Sequence, residues 1–131
     1  VSRIGERLTP DPELLASRAT QKPTRALFAT YIRDVVARLS ADPDVSLALF
    51  ELRLEAVRRP SVAEALGAWR RRAFEGDVVF TTQAGLPGTR SEIALFHYAL
   101  DGLMLDRLTV PIDPETSTDE IVEQLVSRLL A

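Results

Sequence analysis

The stretch Glu92 to Leu108, EIALFHYALDGLMLDRL, constrains this chain more than any other. Read at the α-helical period it carries two apolar faces, where a surface helix carries one. Ile93, Phe96, His97, Leu100, Leu103 and Met104 fall on one side. Leu95, Tyr98, Ala99, Gly102 and Leu105 fall on the other. A helix apolar nearly all round needs cover on both sides. In a short chain this predicts the chain's own core against one face and a partner subunit against the other.

With 131 residues, 46% of them hydrophobic and 27% charged, the chain has the length and composition of one globular domain with a real core. It has no cysteine, which excludes disulfides, thiolate nucleophiles and thiolate zinc sites. The net charge of −3 argues against this chain itself gripping nucleic acid, which takes a basic surface. No apolar run reaches membrane-spanning length and no signal-peptide pattern opens the chain, so the expected location is the cytoplasm. Val1, Ile4 and Leu8 recur at helical spacing with no N-cap before them. Residues 1–8 therefore read as the end of a helix begun in something longer, and residues 9–131 as the domain proper.

The remaining pattern is helical throughout. Asp11 and Pro12 cap and start a short helix through Arg18, followed by a polar loop from Ala19 to Pro23. The next helix, Thr24 to Leu39, sets Leu27, Phe28, Tyr31, Ile32, Val35, Val36 and Leu39 on one stripe, with Arg33, Asp34 and Arg38 opposite. Asp42-Pro43-Asp44 is a strong start signal for a helix whose stretch Val45 to Arg58 looks heavily buried. Leu47, Leu49, Phe50, Leu52, Leu54 and Val57 surround most of its circumference, and Arg53 projects between Leu49 and Val57. Pro60 stops that helix, and Ser61 to Glu64 reads as a capping box for the next. The stripe Val62, Ala65, Leu66, Trp69, Ala73, Phe80 and Ala84 holds phase past Gly76, carrying that helix to about Gln83. Gly85 and Leu86-Pro87 then signal a stop. Thr89 to Glu92 is a capping box for the two-faced helix, and Ser117 to Glu120 is one for the last. Between them, Thr109 to Thr116 with its two prolines is extended. The last helix aligns Ile121, Val122, Leu125, Val126, Leu129 and Leu130 on one face. The fold class is all-α, an antiparallel helical bundle.

Chemistry has little to stand on. His97 is the only histidine, no Glu-x-x-His pair exists, and no phosphate-cradling or nucleophile-elbow motif appears. No metal, cofactor or catalytic residue is predicted. An all-α enzyme would have to use His97 with Asp101, one helical turn away, and no nucleophile can be named for it. Arg53 admits two readings, an interhelical salt bridge or a pocket charge that orients a ligand. The eight aromatics are mostly core, some of them lining a cavity near Trp69, where Ala65, Ala68, Ala73 and Gly76 leave room. Arg70-Arg71-Arg72 spans different helix faces and reads as a solvated patch. For the two-faced helix and the last helix, the favoured reading is a four-helix interface in a homodimer, and the alternative is a monomer whose other helices cover both faces. The interface would use Leu95, Ala99, Gly102, Leu105, Val122, Leu125, Val126 and Leu129, with Gly102 letting backbones approach.

Leu47 to Arg72 (LALFELRLEAVRRPSVAEALGAWRRR), Ala84 to Pro87 (AGLP) and Phe96 to Leu108 (FHYALDGLMLDRL) resemble the regulatory C-terminal domain of the TetR family of bacterial transcriptional regulators. The resemblance covers about Thr24 to Ala131, and residues 1–8 would match the end of the helix linking the two domains. It implies an effector-sensing and dimerisation domain whose DNA contacts are made by an N-terminal helix-turn-helix domain lacking here. It places a small-molecule effector among the helices between Thr24 and Leu108, where Tyr31, Phe50, Arg53, Trp69, Phe96 and His97 are the expected ligand-binding residues. It places dimerisation on the helices Glu92–Leu108 and Asp119–Ala131. Ligand binding would then shift the spacing of two DNA-reading heads. The alternative is a free-standing helical module that binds another protein.

Overall fold

The computed structural model describes residues 2–131, so Val1 and its part in the opening helical pattern lie outside the described residues. Seven helices follow in order: α1 (Ser2–Arg7), α2 (Pro12–Ala19), α3 (Arg25–Ala41), α4 (Pro43–Ala56), α5 (Pro60–Gln83), α6 (Arg90–Leu108) and α7 (Thr118–Leu129). No strand occurs among the described residues. The helix α6 meets α3, α4, α5 and α7. Its two faces part as the sequence predicts. Ile93, Phe96 and Met104 are buried, while Leu95, Tyr98, Gly102 and Leu105 are exposed.

The core joins α3, α6 and α7. Phe28 and Phe96 pack at 5.0 Å between ring centroids, and Met104, Val122, Val126 and Leu130 complete the cluster. Val122 is 0% exposed and Val126 5%. These two side chains, expected at the subunit interface, are instead covered by the chain's own helices. An amphipathic helix carries one apolar face, and α7 spends its centre on α3 and α6. Leu125 and Leu129 are half-buried at the edge of the same cluster.

Helix ends follow the local chemistry. Asp42 alone separates α3 from α4, and its carboxylate accepts a hydrogen bond from the backbone N–H of Val45. The end of α5 is a Schellman turn. Gly85 sits at φ +69°, Leu86 N–H donates to the Thr81 carbonyl and Gly85 N–H to that of Thr82. The start of α5 departs from expectation. Pro60 is its first residue, after Arg59, which makes no side-chain cap, so Ser61 lies inside the helix and forms no capping box. Proline at that position needs no N–H and has its φ already set, which moves the start upstream. At α7 only half a box forms, with the Ser117 hydroxyl accepting from Glu120 N–H. The helix α4 is also less buried than its composition suggests. Leu54 is 67% exposed and Val57 84%, and only Val45 and Ser46 are fully covered.

The box at α6 is complete and does more than cap. Glu92 accepts from Thr89 N–H at 2.9 Å, and its second oxygen accepts from Ala131 N–H at 2.6 Å. Arg25 closes the same corner by donating to the carbonyls of Val126, Leu130 and Ala131. The bonds from Ala131 and Thr89 hold the Glu92 carboxyl below the usual glutamate range. A carboxylate favoured by folding stabilises above its ordinary pKa, and that contribution is lost as pH falls through its folded value. Glu92→Gln is therefore expected to be less stable than the wild type at pH 7, with the gap in melting temperature closing toward pH 3. A gap independent of pH would mean that the ionised carboxylate contributes nothing.

Candidate functional site

The apolar stripe of α3 does not all enter the core. Tyr31, Ile32, Val35 and Leu39 are only partly buried because they face a cavity of about 680 Å³, bounded by α2 to α6 with Leu8 and Pro10 and partly open to solvent. That size is typical of a site for a small organic molecule. Its walls are chiefly aliphatic and aromatic. Tyr31 and Phe80 meet edge to face at 5.1 Å, Phe74 lies 5.5 Å from the His97 ring, and Trp69 and Phe50 stand on other walls. The backbone satisfies the two buried hydroxyls. Ser46 donates to the Leu39 carbonyl at 2.7 Å and Thr81 to the Asp77 carbonyl at 2.7 Å.

All six residues expected around a ligand, Tyr31, Phe50, Arg53, Trp69, Phe96 and His97, line this one cavity. The two readings of Arg53 turn out to be compatible. Its guanidinium pairs with Asp101 at 2.9 Å, lies 5.7 Å over the Phe50 ring, and borders the cavity. Arg70 joins the same Asp101 oxygen at 3.3 Å, so Asp101 holds α4 and α5 to α6 through two arginines. His97 turns away from Asp101 and pairs through Nε2 with Asp77 at 2.8 Å. The pairing of His97 with Asp101 that an enzyme reading would need is thus not formed: Asp101 is engaged by two arginines and His97 by Asp77 on α5. Arg70 and Arg71 also line the cavity, where a wholly solvated patch was expected.

Two charged groups on the wall escape the sequence pattern. Asp34 and Arg38 sit on the polar side of the α3 stripe, yet both reach the cavity. Arg18 on α2 holds Asp34 by two bonds, at 3.0 and 3.2 Å, and so fastens α2 beside the opening. Arg38 has no such partner. Its Nε is buried without a hydrogen bond, and none of the ion pairs among the described residues includes it. Burial pushes this guanidinium below the usual arginine range, against the opposing pull of Asp77 and Asp34. The only signal in the sequence is the long stem of arginine, which lets a residue at the flank of a stripe swing into a cavity.

No group of three or more potential metal ligands occurs among the described residues. The arrangement defines a class of protein: an all-α domain with a half-enclosed apolar cavity and one uncovered apolar helix face. The family model for tetracyclin repressor-like C-terminal domains matches residues 23–131. The chain belongs to this family, whose members are parts of regulators. Neither the comparison with curated proteins nor that with solved structures finds a match. Among the described residues no helix is long and apolar enough to cross a membrane.

Proposed function

We propose that the chain is the effector-sensing and dimerisation domain of a bacterial TetR-like transcriptional regulator, working in the cytoplasm without a cofactor. One observation carries this reading: in a member of this family, the six expected ligand contacts converge on one cavity of about 680 Å³. A small-molecule effector enters that cavity, and DNA is bound by a helix-turn-helix domain preceding residues 1–8. Helix α1 is the end of the linking helix. The close fit of α1 on the cavity wall supports this role. A Cβ at Gly5 would lie 2.9 Å from the Trp69 Nε1, and Arg7 bonds Asp42 at 2.6 Å at the junction of α3 and α4. A ligand that moves Trp69 therefore moves α1.

The homodimer forms through the outer stripe of α6, the exposed Leu95, Gly102 and Leu105 with the half-buried Ala99, flanked by Leu125 and Leu129 of α7. A Cβ at Gly102 would meet nothing within 4 Å inside the protomer, which leaves room for a second backbone. The same uncovered face, with Tyr98 at 69% exposure, is what a free-standing interaction module would offer to another protein. A homodimer in solution separates the two.

Trp69 is the chain's single tryptophan and gives a clean readout of the cavity. Small molecules that raise the melting temperature are expected also to shift or quench Trp69 emission. If every compound that raises it leaves the emission unchanged, the cavity is not where they bind.

A further inference from the structure

The charges around the cavity do not cancel. Four arginines line it, Arg38, Arg53, Arg70 and Arg71, against three aspartates, Asp34, Asp77 and Asp101. Each aspartate is already engaged: Asp34 by Arg18 from outside the cavity, Asp77 by His97, and Asp101 by Arg53 and Arg70. Arg38 and Arg71 are left without an ion pair, and of the two Arg71 is exposed while Arg38 is half-buried, with its Nε covered and not hydrogen-bonded. This positive excess is local, because the whole chain carries a net charge of −3.

Resting on the effector reading, we propose that the effector is an amphipathic carboxylate, its acid group bound by Arg38 and its apolar body lying against the aromatic walls. An arginine on an apolar wall with no ion-pair partner is costly to desolvate, and a ligand anion that pairs with its guanidinium recovers part of that cost on binding. A guanidinium matches a carboxylate with two parallel hydrogen bonds, which an alcohol cannot reproduce. A cation would face Arg38, and the one carboxylate on the wall without an arginine partner, Asp77, is already hydrogen-bonded to His97. A doubly charged phosphate would lose more hydration against walls that are mainly apolar. Tyr31, Phe50, Trp69 and Phe80 then take the body of the molecule by burial of apolar surface.

The test uses the neutral dye Nile red as a reporter of the cavity, displaced by decanoate, decanol or decyltrimethylammonium. Decanol is the uncharged control, so the quantity to read is the ratio of decanoate to decanol affinity. Arg38→Met is expected to shift that ratio by about tenfold toward decanol, as loss of a charge-assisted bond requires. Arg38→Lys is expected to retain part of the preference. A ratio unmoved by Arg38→Met overturns the carboxylate assignment and leaves the cavity as an apolar effector site. If the variant does not fold, the wild type still decides, since tighter binding of decyltrimethylammonium than of decanoate overturns the assignment. If Nile red binds but none of the three displaces it, the assignment falls alone. If Nile red itself does not bind, the effector cavity falls with it.

Discussion

Leu105→Glu is expected to convert the proposed dimer into folded monomers. Leu105 is 45% exposed on α6, in line with Leu95, Tyr98 and Gly102, and belongs neither to the core cluster nor to the side chains packed against it. In a two-fold interface the residue occurs twice, so the substitution removes two buried leucines and buries two carboxylates. With 45% of each leucine left to bury, the lost burial alone weakens association by about 1.5–3 kcal/mol, or roughly 10- to 10²-fold in Kd. Desolvation of the carboxylates adds to this. Light scattering is expected to show half the wild-type mass, with unchanged helix content by circular dichroism. An unchanged dimer mass would remove the α6 stripe from the interface. Leu125 is a poorer position for this test, because it is half-buried against the core and a charge there would strike folding and association together.

Much of this architecture is legible from the chain because it depends on local chemistry. Capping at Asp42 and Thr89, the glycine stop at Gly85 and the long run of α5 past Gly76 all rest on neighbouring residues. Tyr31, Phe50 and Trp69 on the cavity wall are also legible, since each is an apolar-stripe residue that is only partly buried, whereas Phe96 lines the cavity from within the core cluster. Periodicity fails where direction matters. It places Arg38 and Asp34 on the polar flank of α3 but does not say that flank borders a cavity. It marks α4 as apolar nearly all round without saying that Leu54 and Val57 face out. It gives α7 one apolar face and cannot say whether that face meets its own chain or another. Long-range partners decide each of these cases, and one helix's repeat carries no information about them.

Val122→Asp settles the last of these cases from the other side. Val122 is 0% exposed, enclosed by a cluster that includes Phe28, Phe96, Met104 and Val126. No basic group in that cluster is available to pair with a carboxylate there. Burying an unpaired acid in an apolar core is among the few single changes that cost more than about 4 kcal/mol, a large share of a domain's total stability. The variant is expected to lose its cooperative thermal transition and most of its helical signal at 25 °C. Leu105→Glu is expected to keep both. If Val122→Asp instead gives a stable, fully helical monomer, the centre of α7 faces a partner and the core drawn from α3, α6 and α7 is wrong. If both variants unfold, protomer folding and assembly are one event, because a subunit unable to bury its α6 stripe would not persist alone.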